Sequence, residues 1–257
     1  LIYGAFYQHN KPKKIIKHGK PIFGTFSTLP EKLDISGVKA PFLGIPVPPI
    51  LTRFAIRSRL IYTFSFEDYL GSIDLFDSKI VNMAEISLWN KKTNLKYVYR
   101  IFLGLRLHLI PKKLHKAVCV STAKTRYIRI GWDHDRDRLS IKFKVKGDNI
   151  RPYVELAFLG KLNSDTSKEI FSVKPAPTMS RCSATWYSFS PIIGRMKFTH
   201  KSGDILEHYL QKSGYGFLFE NRSYYKYITS GENLTACGKI NEKDIGFRLS
   251  TTSLDGV

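Results

Sequence analysis

In the segment LSIKFKVK (139–146) apolar and basic residues alternate without a break from residue 141: Ile141, Phe143 and Val145 fall on one side, Lys142, Lys144 and Lys146 on the other. Only an extended strand with one buried and one wet face gives that order a consistent burial pattern, because successive side chains of a strand point to opposite faces. The same period of two recurs from about residue 54 onward. MAEISLWN (83–90) and LKYVYRIF (95–102) flank KKTN, and TRYIRIGW (125–132) and LSIKFKVK flank DHDRDR, so each pair reads as an antiparallel hairpin. RPYVELAF (151–158), SATWYSFS (183–190), RMKFTHKS (195–202), YGFLFENR (215–222), NLTACGKI (233–240) and DIGFRLS (244–250) supply further strands, split by Gly, Asn, Asp and Pro. This spacing predicts a mainly β protein, a sandwich or barrel with little helix. The best helical candidate is SGDILEHYLQK (202–212), one or two turns of it.

The start of the chain follows a different rule. Pro12, Pro21, Pro30, Pro41, Pro46, Pro48 and Pro49 remove backbone donors and fix φ, which excludes a helix or a central strand there. Phe42, Leu43, Ile45 and Val47 are too apolar to leave in water, so the segment is expected to lie on the body. The resulting division is a Pro-rich basic arm at 1–53, a first β unit at 54–149 and a second at 150–257. No run of about 18 uncharged apolar residues exists, which excludes a membrane-spanning helix. Cys119, Cys182 and Cys237 are odd in number and widely spaced, which suits a reducing, cytoplasmic setting better than a disulfide scaffold.

The net charge of +20 is unevenly placed: residues 91–130 carry eleven Lys or Arg and no acid. Such a field draws phosphate, whether on an anionic membrane surface or on nucleic acid. Tyr97, Tyr99, Tyr127, Trp132 and Phe143 interleave with Lys96, Arg100, Arg126, Arg129, Lys142 and Lys144 of the two hairpins, as on a stacking platform for single strands. An antiparallel sheet produces the same interleaving by itself, and no RNA-recognition submotif accompanies it, so nucleic acid is the weaker partner.

Catalytic and cofactor motifs are missing from the sequence. It has no nucleophile elbow, phosphate-binding glycine loop, paired-histidine zinc helix or Cys-x-x-Cys, so no cofactor and no metal is expected. The acid-rich WDHDRD turn (132–137) lacks the glycine and terminal glutamate of a calcium loop and reads as a solvated turn.

Several windows taken in order, GKPIFGTF (19–26), FSFEDYLGSIDLFD (64–77), FTHKSGDI (198–205), YGFLFENRSYY (215–225) and TACGKINEKDIGFRLS (235–250), resemble the bacterial domain of unknown function 2804 family. That resemblance implies paired lipocalin-like (calycin-like) β-barrel halves, similar to the carotenoid hydratase and AttH-like group, around a cleft or cavity. It also implies a C-terminal truncation, since the family continues past the point that matches Val257. Thr199, His200 and Lys201 match the family's FTHK-like stretch, and Arg222, Tyr224 and Tyr225 its Arg-x-Tyr stretch. The family's Asp-Trp before the arginine is replaced here by Glu220 and Asn221. The implied function is binding of a hydrophobic, lipid- or isoprenoid-like small molecule, its polar end fixed by Arg222 or His200. An alternative is a hydratase or isomerase on such a molecule, with His200 as general base and Arg222 as electrostatic partner. A second alternative is peripheral binding to anionic lipid or nucleic acid through residues 91–130. In the purely structural alternative, Arg222 pairs with Glu67 or Asp68 across the barrel.

Overall fold

A computed structural model describes residues 7–8, 14–26, 28–39, 48, 53–79, 81–104, 109–162, 168–176, 180–224, 229–230, 233–250 and 253–254. All nineteen elements among them are strands. Four short ones come first: β1 (Tyr7–Gln8), β2 (Ile16–Lys17), β3 (Lys20–Pro21) and β4 (Gly24–Phe26). Then follow β5 (Arg57–Phe66), β6 (Tyr69–Asp77), β7 (Asn82–Asn90), β8 (Lys96–Phe102), β9 (Lys116–Ala123), β10 (Arg126–Asp133), β11 (Arg138–Val145), β12 (Tyr153–Gly160) and β13 (Lys168–Pro175). Two long strands, β14 (Cys182–Thr199) and β15 (Ile205–Ser223), precede β16 (Thr229–Ser230), β17 (Asn233–Ile240), β18 (Lys243–Ser250) and β19 (Ser253–Leu254). The fold is mainly β, as the alternation requires.

Ten strands form one antiparallel path, β8-β7-β6-β5-β15-β14-β12-β11-β10-β9, and its end strands β8 and β9 are not paired with each other among the described residues. The path curls into a half-barrel. Phe64 and Phe66 of β5 reach Phe158 of β12 with ring centroids 5.0 and 4.6 Å apart, and Tyr69 stacks on Phe198 at 4.6 Å. The Tyr99 hydroxyl of β8 donates to the Pro152 carbonyl at 2.6 Å, drawing the β8 wing toward the β11–β12 loop. That loop holds the boundary drawn at 149/150, and β11 and β12 on its two sides pair over seven positions. Ten pairs between β5 and β15 join the early strands to the late ones.

Turn chemistry sets these registers. The Asn90 side chain accepts the amides of Lys92 and Thr93, and Asp133 accepts those of Asp135 and Arg136, so each hairpin turn is held by an Asx residue at its first position. Leu139, Ile141, Phe143 and Val145 are buried while Lys142 and Lys144 are exposed, which is the expected phase of β11. Trp132, Trp186, Phe143, Phe158 and Phe171 fill the interior, each contributing about 2–3 kcal/mol through removal from water. Ile15, Phe26, Leu33, Ile35 and Val38 of the first forty residues join the same core. Of the apolar Pro-rich stretch, residues 40–47 and 49–52 lie outside the described set.

The structure corrects two local expectations. Residues 205–212 are strand, not helix: β15 begins opposite Thr199 of β14. The turn before it is closed by the Gly203 amide on the His200 carbonyl (2.9 Å) and the His200 amide on the Asp204 carbonyl (2.8 Å). Leu206 and Leu210 stay exposed, so a helix would have had no face to bury. The segments 183–190 and 195–202 are parts of one strand. β14 pairs with β13 up to Phe189 and with β12 from Ile192, and Pro191 sits in the gap between these two edge partners, where its missing N–H costs no ladder bond on that side. Gly216 of β15 lies under the Tyr62 side chain; a Cβ there would sit 2.1 Å from the Tyr62 hydroxyl, which is fully buried. Gly216→Val is expected to cost about 1–3 kcal/mol through overpacking. Thermal denaturation followed by circular dichroism checks it, and an unchanged midpoint would refute this packing.

Candidate functional site

Chemistry-bearing side chains gather in three places. The first is the inner face of β15, where Glu220 and Arg222 fall in phase with Leu218 and Tyr224, and all four are buried. Register places Arg222 opposite Ser58 of β5 and Ala184 of β14. Its guanidinium donates to Ser58 Oγ at 2.7 Å, to the Ile110 and Pro111 carbonyls at 2.9 Å each, and to Glu220 Oε1 at 3.4 Å. Glu220 is 0% exposed, and burial pushes its carboxyl up to about 7 against the opposing pull of Arg222. Glu220 Oε2 and Arg222 Nε have no hydrogen-bond partner among the described residues. Arg222 therefore clasps β15, β5 and the segment leading into β9. The Tyr224 hydroxyl donates to the Ile35 carbonyl at 2.9 Å and ties down the N-terminal region; Tyr225 lies outside the described residues.

The anticipated pairing of Arg222 with Glu67 or Asp68 does not form. Those two acids occupy the β5–β6 turn, about 30 Å of strand contour from Ser58. Glu67 is exposed with φ of 51°, and Asp68 pairs with Lys92 at 3.0 Å.

Thr199, His200 and Lys201 come together elsewhere. They line a cleft of about 480 Å³ with the β9–β10 turn (Lys124, Arg126), the end of β11 (Lys144, Lys146) and the rings of Tyr127 and Tyr153. His200 is exposed, with Nδ1 2.9 Å from Ser202 Oγ, and Lys201 Nζ donates to Asn149 Oδ1 at 2.9 Å. Glu155 beside the cleft accepts from Lys144 at 2.9 Å and from the Tyr153 hydroxyl at 2.7 Å. Thr199 ends β14 and Ala184, the partner of Arg222, lies near its start, so about 50 Å of strand contour separates the two predicted groups. His200 and Arg222 thus lie toward opposite ends of β14.

The third place is the outer face of the sheet, crossed by the β17–β18 hairpin. Thr235, Cys237, Asp244 and Arg248 turn toward the sheet, whereas Leu234, Phe247 and Leu249 point away. The Arg248 guanidinium lies 4.2 Å from the Phe219 ring centroid, and burial lowers its pKa from the usual value. The Tyr215 hydroxyl donates to Asp244 at 2.9 Å. Gly246 rests on Phe189 and Phe217, where a Cβ would come within 2.8 Å of both rings. A cleft opens on each side of this contact. One of about 430 Å³ is bounded by Ile61, Leu70, Trp89, Phe217 and Arg248, and another of about 420 Å³ by Ile170, Tyr187, Phe189, Phe217 and Arg248. The floor of the first is a cross-strand row of hydroxyls, Thr63, Ser72 and Ser87. Thr63 Oγ1 is buried with no hydrogen-bond partner among the described residues.

Sequence reasoning missed Glu220, Trp89, Phe217 and Arg248. Their signal was phase: Glu220 and Arg222 share the parity of buried Leu218, and Phe217 takes the opposite one. The WDHDRD turn is also less solvated than expected. His134 Nε2 lies 3.0 Å from Glu169 of β13, to which Trp186 Nε1 also donates at 3.2 Å. Burial pulls the His134 pKa down, but the Glu169 bond and charge prevail and raise it. Comparison with known protein families finds no match for this chain, and comparison with curated proteins finds none. No helix among the described residues is long and apolar enough to cross a membrane.

Proposed function

We propose that the protein binds a small apolar molecule in the cleft between the β17–β18 hairpin and the outer face of β5–β7. The observation that carries this reading is the wall composition. Ile61, Leu70, Trp89 and Phe217 form the apolar wall of a cleft of about 430 Å³; the Thr63, Ser65, Ser72, Ser87 and Thr235 hydroxyls, the Arg248 guanidinium, and the Asp74 and Glu85 carboxylates, paired with Arg59 and Arg100, line the rest. Pockets for drug-sized ligands span roughly 300–1,000 Å³ and set apolar walls against orienting polar atoms. The half-barrel interior offers a poorer site, since Tyr62, Phe66, Phe158 and Trp186 fill it with their own side chains. Binding would therefore occur outside the barrel, beneath a hairpin that contacts the sheet at a few points. Arg248 suits a carboxylate at the ligand's polar end, so a fatty acid is the reference ligand.

Titration with the fluorescent fatty acid cis-parinaric acid tests this. Trp89 is 40% exposed in the slot, whereas Trp132 and Trp186 are buried, so energy transfer to bound parinarate should fall sharply in Trp89→Phe. Ser72→Trp fills the floor from the hydroxyl row and is expected to weaken binding at least tenfold, by about 1.4 kcal/mol or more, with little change in melting temperature. Unchanged affinity in Ser72→Trp would place the ligand elsewhere and end the proposal.

A further inference from the structure

The basic cleft lies at one end of the sheet, and its rim carries apolar side chains that the fold leaves in water. Ile150, in the β11–β12 loop, is 89% exposed, and Ile205 and Leu206, just after the β14–β15 turn, are 57% and 53% exposed. The Lys201–Asn149 bond holds that loop and that turn together. Ile150 is presented on a built loop: Asp148 Oδ1 accepts the Ile150 and Arg151 amides at 2.9 and 2.7 Å, and Arg151 donates to the Val98 carbonyl at 2.8 Å. Behind the rim stand Lys124, Arg126, Lys144, Lys146 and Lys201. The acids nearby are engaged: Asp148 with Arg151, Glu155 with Lys144, and Asp204 with the Ser202 hydroxyl. Lys124, Lys146 and Lys201 form no ion pair among the described residues, so their charge is available to an outside anion.

We infer that this end of the molecule docks on an anionic phospholipid surface, with lipid phosphates in the basic cleft and Ile150 entering the headgroup–acyl boundary. The juxtaposition favours a membrane over a soluble phosphate or a nucleic acid. A free anion gains nothing from a projecting isoleucine, and a single strand, which finds Tyr127 and Tyr153 to stack on, gains nothing from Ile150, Ile205 and Leu206, whereas an anionic bilayer rewards a compact basic patch with apolar residues at its rim. This inference is independent of the fatty-acid reading, because no residue is shared between the two clefts.

Co-sedimentation of the full chain with vesicles tests it. Binding is expected to phosphatidylcholine vesicles that contain phosphatidylglycerol, to fall steeply with salt, and to be absent with phosphatidylcholine alone. Lys124→Ala with Lys146→Ala should weaken partitioning by about 30-fold and flatten the salt dependence. Ile150→Asn should weaken it about tenfold while leaving the salt dependence in place. Both variants alter exposed side chains, so melting temperatures should not move. Equal binding to both vesicle types would overturn the proposal. So would inositol hexakisphosphate or a single-stranded oligonucleotide that binds at least as tightly as the vesicles through the same lysines without help from Ile150.

Discussion

Arg222→Met is expected to destabilise the protein by about 3–5 kcal/mol, because it leaves a buried carboxyl and two buried carbonyls without their donor. The guanidinium is 2% exposed and serves Ser58, Ile110, Pro111 and Glu220 at once. Methionine matches much of the volume, so the loss reads polar satisfaction rather than a cavity. For a chain of this length each kcal/mol moves the melting temperature by roughly 2–4 °C, which predicts a fall on the order of 10 °C. Adding Glu220→Leu should recover part of it, since the double variant no longer buries an unpaired carboxyl and the two changes couple through direct contact. A single variant within about 1 kcal/mol of the native protein would show that the clasp contributes little to holding β15 against β5 and the 110–111 segment. The residue first considered as an electrostatic partner for catalysis would thus act as a fastener of the half-barrel.

How much of this was legible in the sequence depends on the distance over which each feature is built. β11 could be read outright, because its burial pattern follows from six consecutive residues and needs no partner. The β7–β8 and β10–β11 hairpins were readable for the same reason, with Asn90 and Asp133 supplying local turn bonds. β14 was harder: Pro191 and Gly194 look like strand breakers, and only the exchange of edge partner from β13 to β12 makes an unbroken strand of 18 residues tolerable. The helical reading of 202–212 failed because leucines at 206 and 210 mimic a helix face, while the strand leaves them exposed. Sites were less legible than strands. Arg222 meets its partners Ser58 and Ile110 across 164 and 112 residues of chain, a convergence no local spacing announces. Thr199, His200 and Lys201 were identified as a group and do line one cleft, yet the cations that give it character come from turns far along the chain. The charge map anticipated part of this, since Lys124 and Arg126 belong to the acid-free 91–130 segment.

Glu220 should also make stability fall as pH rises through neutrality. Its carboxyl has an ordinary value of 4.5 and is pushed up to about 7 in the fold, mainly by burial, with Arg222 pulling the other way. A group whose folded pKa lies above its unfolded one binds a proton more readily in the native state. Its contribution is therefore fully present below the unfolded value of 4.5 and is lost as pH rises toward about 7. The whole span is worth on the order of 3 kcal/mol. Glu220→Gln removes the titration while keeping the shape. Subtracting its unfolding free energy from that of the native protein, pH by pH, cancels the other groups, including the cations whose mutual repulsion grows in acid. The difference should shift against the native protein between about pH 5 and 7 and level off above. A flat difference over that window would mean that Glu220 ionises as easily inside the sheet as in water, and that the Arg222 charge offsets its burial. The opposite slope, with the native protein gaining on Glu220→Gln as pH rises, would mean the pair is held as a true ion pair. Arg222 would then stabilise the carboxylate by more than its desolvation costs, and the Arg222→Met penalty should begin to grow at acid pH instead of only above about pH 7.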